Sequence, residues 1–196
     1  GSLFFIPLLK KFGLIKTRLI LLLYKLPEPT PWWKFHHFNH SIFIIKAYNG
    51  INCLTKKLEQ DLKKRDFKGF TQFIEWTTDE VLFSTNKPLK GKFFFSTGKT
   101  NRDFKTYFNA IKKLSDIRFK CVAHDIQNFN FPDNVEATIS TTIITDKTLS
   151  YKQLKEAYAK CIAVCIPLTG DEQDTCGYTE CLEAMAMRKP VLMTKS

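Results

Sequence analysis

No C-x-x-C pair, no zinc-ligand spacing and no helix-turn-helix or RNP pattern occurs in the 196 residues, and the longest aliphatic run is Leu19 to Leu23. The first two absences remove a paired-cysteine redox centre and a zinc site. The others leave the common nucleic-acid-binding modules without a signature. A run that short falls far below the roughly 20 apolar residues a membrane-spanning helix needs. No signal-peptide pattern is visible either, and Gly1-Ser2 reads as a cloning scar. The expectation is a piece of a larger cytoplasmic protein.

Acidic residues are scarce: nineteen Asp and Glu stand against thirty Lys and Arg, a net charge of +11. Such a field favours phosphate-bearing partners (nucleotides, nucleic acid or an anionic membrane surface) without choosing among them. The excess is uneven, because residues 1 to 90 hold fifteen of the cations and only seven of the anions, a local +8. Apolar residues at 44% and charged residues at 25% match globular averages, which argues against wholesale disorder and a fibrous repeat. The length allows one large domain or two small or incomplete ones. Cys53, Cys121, Cys161, Cys165, Cys176 and Cys181 read as buried reduced thiols, since several lie in apolar runs and a chain of this size needs no disulfide staples.

Hydrophobic patterning predicts alternating helices and strands. In the first half these are a helix over 4–12 stopped at Gly13, a strand over 18–24, a helix over 41–48, a strand over 50–54, a charged helix over 56–65 and a strand over 70–76. Pro27, Pro29 and Pro31 force an irregular stretch between the first two strands of that set. The second half predicts strands over 92–96, 117–123, 135–139, 161–167 and 190–194, with helices over 102–114, 151–160 and 178–188. Thr100-x-x-Asp103 and Ser150-x-x-Gln153 have the form of capping boxes opening two of those helices. Strands alternating with helices mean an α/β fold with parallel sheets. The boundary is expected near Thr85–Gly91, giving domains of 1–88 and 89–196. The last strand ends two residues before the terminus, and both domains are expected to be incomplete.

Phe93-Phe94-Phe95-Ser96-Thr97-Gly98-Lys99-Thr100 reads as a strand, then Gly-Lys-Thr, ahead of a helix, as a phosphate-binding P-loop does. The spacing refuses that motif, because the required glycine five positions before Gly98 is Phe93. A helix start flanked by Lys99, Arg102 and Lys105 remains, and it suits an anion. His36, His37, His40 and His124 show no ligand spacing. The His37-x-x-His40 pair lies beside Trp32, Trp33 and Phe35 and reads as packing or interfacial surface, so no metal site is expected.

The more specific run is Pro167-Leu168-Thr169-Gly170, four acidic or amide residues Asp171 to Asp174, then Cys176-Gly177-Tyr178-Thr179-Glu180-Cys181-Leu182-Glu183-Ala184-Met185-Ala186, closing on Lys189-Pro190-Val191. It resembles the donor-binding signature of retaining GT-B glycosyltransferases, the large family four. Phe95 to Phe104 is similar to the strand-loop-helix that opens the donor domain in one branch of that family. Residues 51–57 and 74–83 look like the last elements of the acceptor domain.

The resemblance implies Rossmann-like parallel sheets of a GT-B fold and retaining, metal-independent transfer of a hexose from a nucleoside diphosphate sugar to a glycan or lipid-linked acceptor. No cofactor is implied. Gly98, Lys105 and the backbone N–H groups of Gly177, Tyr178 and Thr179 would bind the donor diphosphate. Lys99 and Arg102 would supply the catalytic charge on the leaving group, and Glu183 would accept hydrogen bonds from the ribose hydroxyls. Two positions depart from the family pattern. Thr175 stands where the first motif glutamate falls, leaving Asp171, Glu172 or Asp174 as substitutes, and Asp103 stands where the diphosphate lysine falls. Rival readings are a same-fold nucleotide-sugar epimerase and a basic nucleic-acid-binding module. Lys10, Lys11, Lys16, Arg18, Lys25 and Lys34, interleaved with apolar residues, suggest docking on the anionic inner face of a membrane.

Overall fold

Strands covered on both faces need unbroken apolar runs, and Cys161-Ile-Ala-Val-Cys-Ile166 is such a run on an interior strand of a parallel sheet, buried at every position but Ile162. The computed structural model describes residues 5–26, 40–85, 89–123, 126, 128–139, 149–170 and 175–195. Pro27 to Pro31, the Trp32 to His37 segment, the 86–88 part of the expected linker, His124, and Asp171 to Asp174 lie outside the described residues. The chain divides into two compact units, Gly1–Trp76 with Gln173–Thr175, and Thr77–Glu172 with Cys176–Ser196.

The first unit runs α1 (Phe5–Lys11), β1 (Ile20–Leu23), α2 (His40–Ile45), β2 (Gly50–Cys53), α3 (Lys56–Lys64) and β3 (Phe70–Phe73). Its strands form a parallel sheet in the order β1-β2-β3, with Leu21, Ile51 and Thr71 in register. Thr55 caps α3, its hydroxyl accepting from the Leu58 amide at 3.0 Å. Leu58 and Leu62, four apart on that helix, are buried in a core with Ile45, Ile51 and Cys53. Period-2 alternation turns Ile20, Leu22 and Phe70 to the other face, where they are exposed.

The second unit carries β4 (Phe93–Gly98), α4 (Phe104–Ile111), β5 (Phe119–Ala123), β6 (Val135–Ile139), α5 (Tyr151–Lys160), β7 (Cys161–Ile166), α6 (Tyr178–Ala186) and β8 (Val191–Met193). The five strands are parallel in the order β6-β5-β4-β7-β8. Alternation along them splits the core in two. Phe95, Val122, Val164 and Ile166 join Tyr158, Ala184 and Met187, whereas Phe119, Cys121 and Ala123 join Phe104, Phe108 and Ile111 of α4. Helices thus cover both faces, and the α/β architecture with Rossmann-like parallel sheets is the one the sequence predicts.

Ser150 and Gln153 form the expected capping box on α5. The Thr100 box does not form. Asn101 adopts a left-handed conformation, φ 52°, and Arg102 pairs with Leu168, so the helix starts later, at Phe104. Asp103 caps it instead, accepting from the Thr106 amide at 3.0 Å, and that bond holds its carboxyl below the usual aspartate range. The six cysteines are all free thiols, and burial pushes Cys53 and Cys161 up to about 11 and Cys121 up to about 12. Among the described residues no helix is long and apolar enough to cross a membrane, and no cluster of three or more metal-ligating side chains occurs.

Candidate functional site

Strands β4, β5 and β6 step outward in one direction, and the chain then returns so that β7 lies against the other side of β4. The carboxyl ends of β4 and β7 therefore flank the point where strand order reverses, which is where open α/β sheets leave a ligand crevice. Gly98 ends β4, Lys99 and Arg102 follow in its loop, and Gly177, Tyr178 and Thr179 open the helix after β7, so the topology brings together the two stretches the sequence singles out.

Backbone bonds join the two loops. The Asp103 amide donates to the Pro167 carbonyl at 3.0 Å and the Thr169 amide to the Asn101 carbonyl at 3.1 Å, on either side of the Arg102–Leu168 bridge. Gly98 ends β4 at φ 119°, and a Cβ there would collide with the Arg102 guanidinium. Only glycine lets that side chain lie across the strand end.

Arg102 is the most constrained of the expected cations. Its Nε donates to the Thr97 carbonyl at 3.2 Å, Nη1 to the Thr100 carbonyl at 2.7 Å, and Nη2 to Glu180 Oε1 at 2.7 Å. The side chains of Arg102 and Glu180 are 3% and 16% exposed, so this ion pair is largely removed from water. Lys99 and Lys105 are both exposed.

Gly177 precedes α6 in the left-handed region, φ 86°, and offers no side chain to cap the helix. A Cβ on it would stand 2.8 Å from Ile166 Cγ2 and 3.2 Å from Met193 Cε. The glycine is thus required by its backbone angle and by its approach to β7 and β8. Tyr178 and Thr179 in the first turn are exposed. The positive end of the α6 dipole and the exposed Lys99 add positive charge beside the strand ends, while Asp103 is close enough to Lys105 to feel its charge and Glu180 offsets Arg102.

Glu183 lies on the buried side of the same helix, 7% exposed, with Oε2 accepting from the Tyr158 hydroxyl at 2.7 Å. Burial raises its carboxyl above the ordinary range and the Tyr158 bond partly offsets that rise. Thr175, where the resemblance expects a glutamate, is buried. Lys189 is buried too, its Nζ donating to the carbonyls of Cys161 at 2.9 Å and Leu89 at 3.3 Å. Sequence reading missed Glu180 and Tyr158 as the partners of Arg102 and Glu183, and Lys189 lies away from the crevice, at the amino end of β7. The near-signal for Glu180 was its place in the first turn of a helix otherwise matched to a motif.

A cleft of about 1180 Å³ opens at the opposite, amino ends of β4, β5 and β6, with Lys112, Arg118, Asp133 and Glu136 in its lining and Glu136 paired with Lys120. It lies beside the carboxyl terminus of α4, whose negative dipole end Lys112 complements. Asn134 Nδ2 there donates to the carbonyls of Ile111, Leu114 and Ile117, so this end reads as a built turn.

No protein-family model matches the sequence, and no curated protein matches it. Among solved structures, 89% of the chain is similar to the crystal structure of TarM, with a TM-score of 0.61 and 14% identity. The chain spans 36% of the TarM chain. A likeness at that identity shows the fold: α/β, with Rossmann-like parallel sheets that fit part of a GT-B architecture.

Proposed function

We propose that the chain is part of a glycosyltransferase and that the crevice at the carboxyl ends of β4 and β7 takes the diphosphate of a nucleoside diphosphate sugar. The observation that carries this reading is the coincidence of three features at the strand-order reversal: a helix opened by a left-handed glycine, exposed lysines at 99 and 105, and a loop pair locked by backbone bonds. The likeness to TarM, a glycosyltransferase, supports the class. The residues up to 88 belong in this reading to the acceptor-side domain and residues 89–196 to the donor side.

Departure of a nucleoside diphosphate leaves negative charge on the β-phosphate, and preorganised donors aimed at that charge are the largest help a site can give. The first turn of α6 at Gly177, Tyr178 and Thr179 supplies backbone dipoles, and Lys99 supplies a full charge. Lys105 adds a second. Arg102 contributes from its fixed place behind Gly98, with its net charge reduced by Glu180. Glu183 is assigned to the donor ribose through the resemblance, and Tyr158 already engages one of its oxygens. The transfer is assigned as retaining and metal-independent, to a glycan or lipid-linked acceptor, with the basic first half resting on an anionic leaflet.

Calorimetric titration with UDP, GDP and ADP and their hexose conjugates tests the reading. Saturable binding of one nucleoside diphosphate, weakened by Lys99→Ala, is the expected result. Binding of none of them, or affinity for single-stranded nucleic acid that collapses steeply with salt, overturns it.

A further inference from the structure

Nothing in the resemblance gives Glu180 a role, yet it holds the only side-chain ion pair among the described residues that joins the loop after β4 to α6. Three observations converge on it. Its partner Arg102 spends Nε and Nη1 on the carbonyls of Thr97 and Thr100, so the guanidinium is oriented before it meets Glu180. Gly98 clears the space in which the guanidinium lies. The backbone on either side of Arg102 bonds to the β7 loop through Asp103–Pro167 and Asn101–Thr169.

We infer that Glu180 is a positioning residue: by clamping Arg102 it fixes the loop carrying Lys99 against the first turn of α6, and so sets the spacing of the groups that receive the diphosphate. The inference rests on the donor-site reading above. Arg102 is thereby a strut first, because three of its five N–H donors are committed within the protein and its charge is paired with Glu180, which leaves less of it for a ligand. The exposed Lys99, on the strut's own loop, meets the ligand directly. A long-range pair suits this task better than local bonds, since it makes the loop from β4 and the helix after β7 respond as one body.

The test compares wild type with Glu180→Gln, which keeps the shape and a neutral acceptor but removes the charge. Two readouts are taken on the folded chain: amide hydrogen exchange at Asp103 and Thr169, and affinity for the nucleoside diphosphate that wild type prefers. The expected result is faster exchange at those two amides and affinity about tenfold weaker, within the penalty for misplacing a positioned group by about 1 Å. Melting temperature is measured in parallel, and the affinity loss should exceed that of a variant equally destabilised in the first unit, such as Leu62→Ala. Should Glu180→Gln fail to fold, Glu180→Asp keeps the charge one methylene short and is read the same way.

Unchanged exchange overturns the strut. Faster exchange with unchanged affinity overturns its link to the ligand. A wild type that binds no nucleoside diphosphate overturns the donor-site reading itself and with it the ligand half of this inference, while the exchange data still decide the strut.

Discussion

The Tyr158 hydroxyl donates to Glu183 Oε2 at 2.7 Å inside the core cluster that also holds Phe83 and Phe95, whose rings meet Tyr158 edge-on. A carboxylate in that setting is costly to ionise, and one hydroxyl donor offsets only part of the cost.

Glu183 therefore has a defined pH signature. Its carboxyl is raised above 4.5 by burial in the folded chain, so its contribution to stability is full below the unfolded value and is lost as pH rises through the folded one. Glu183→Gln should flatten that dependence and leave the chain at least as stable at pH 7, since the glutamine oxygen still accepts from Tyr158. Glu183→Ala strands the tyrosine hydroxyl in the core and should cost about 1–3 kcal/mol. Thermal melts across pH 4 to 8 for the three chains check both statements.

Arg188 ends α6 at φ 56°, and the amides of Arg188 and Lys189 return to the carbonyls of Met185 and Ala184. This is a Schellman closure with a β-carbon where glycine is preferred. Arg188 is exposed, so Arg188→Gly should stabilise the chain by about 1 kcal/mol. Chemical denaturation gives the value directly; a loss of stability would mean the arginine side chain has a partner that outweighs its backbone strain.

The thiols divide into two groups. Cys53, Cys121, Cys161 and Cys165 are buried with raised pKa values, whereas Cys176 and Cys181 are partly accessible, although partial burial pushes the Cys181 thiol up as well. Alkylation at pH 8 should modify the last two first and the other four only on unfolding. Mass spectrometry of time points reads this, and early labelling of Cys121 or Cys161 would contradict the packing of β5 or β7.

Much of the fold was legible because the relevant signals are local. The run at 161–166, the helix pattern at 151–160 and the hydroxyl–glutamine pair at its start each lie within a few residues, and each element forms where that pattern predicts. The start of α4 was not legible for the same reason in reverse. Thr100 has a good local cap signal, but the tertiary bridge from Arg102 to Leu168 pulls those residues into the loop and passes the cap to Asp103. The candidate site divides along the same line. Gly177 announced itself by its place before a helix, while the partners of Arg102 and Glu183 lie 78 and 25 residues away and no spacing rule reaches them.

Gly98, Arg102 and Glu180 form a closed set in which each residue's chemistry presumes the other two. A side chain at 98 has no room unless the guanidinium leaves, and either charge at 102 or 180 alone would be a largely desolvated ion without its counterion, a costly defect. Single steps away from this trio are therefore nearly closed to drift, and divergence has to pass through paired replacement. Relatives too distant to recognise by overall identity should still show these three columns changing together, with the glycine released only in sequences that have lost both charges.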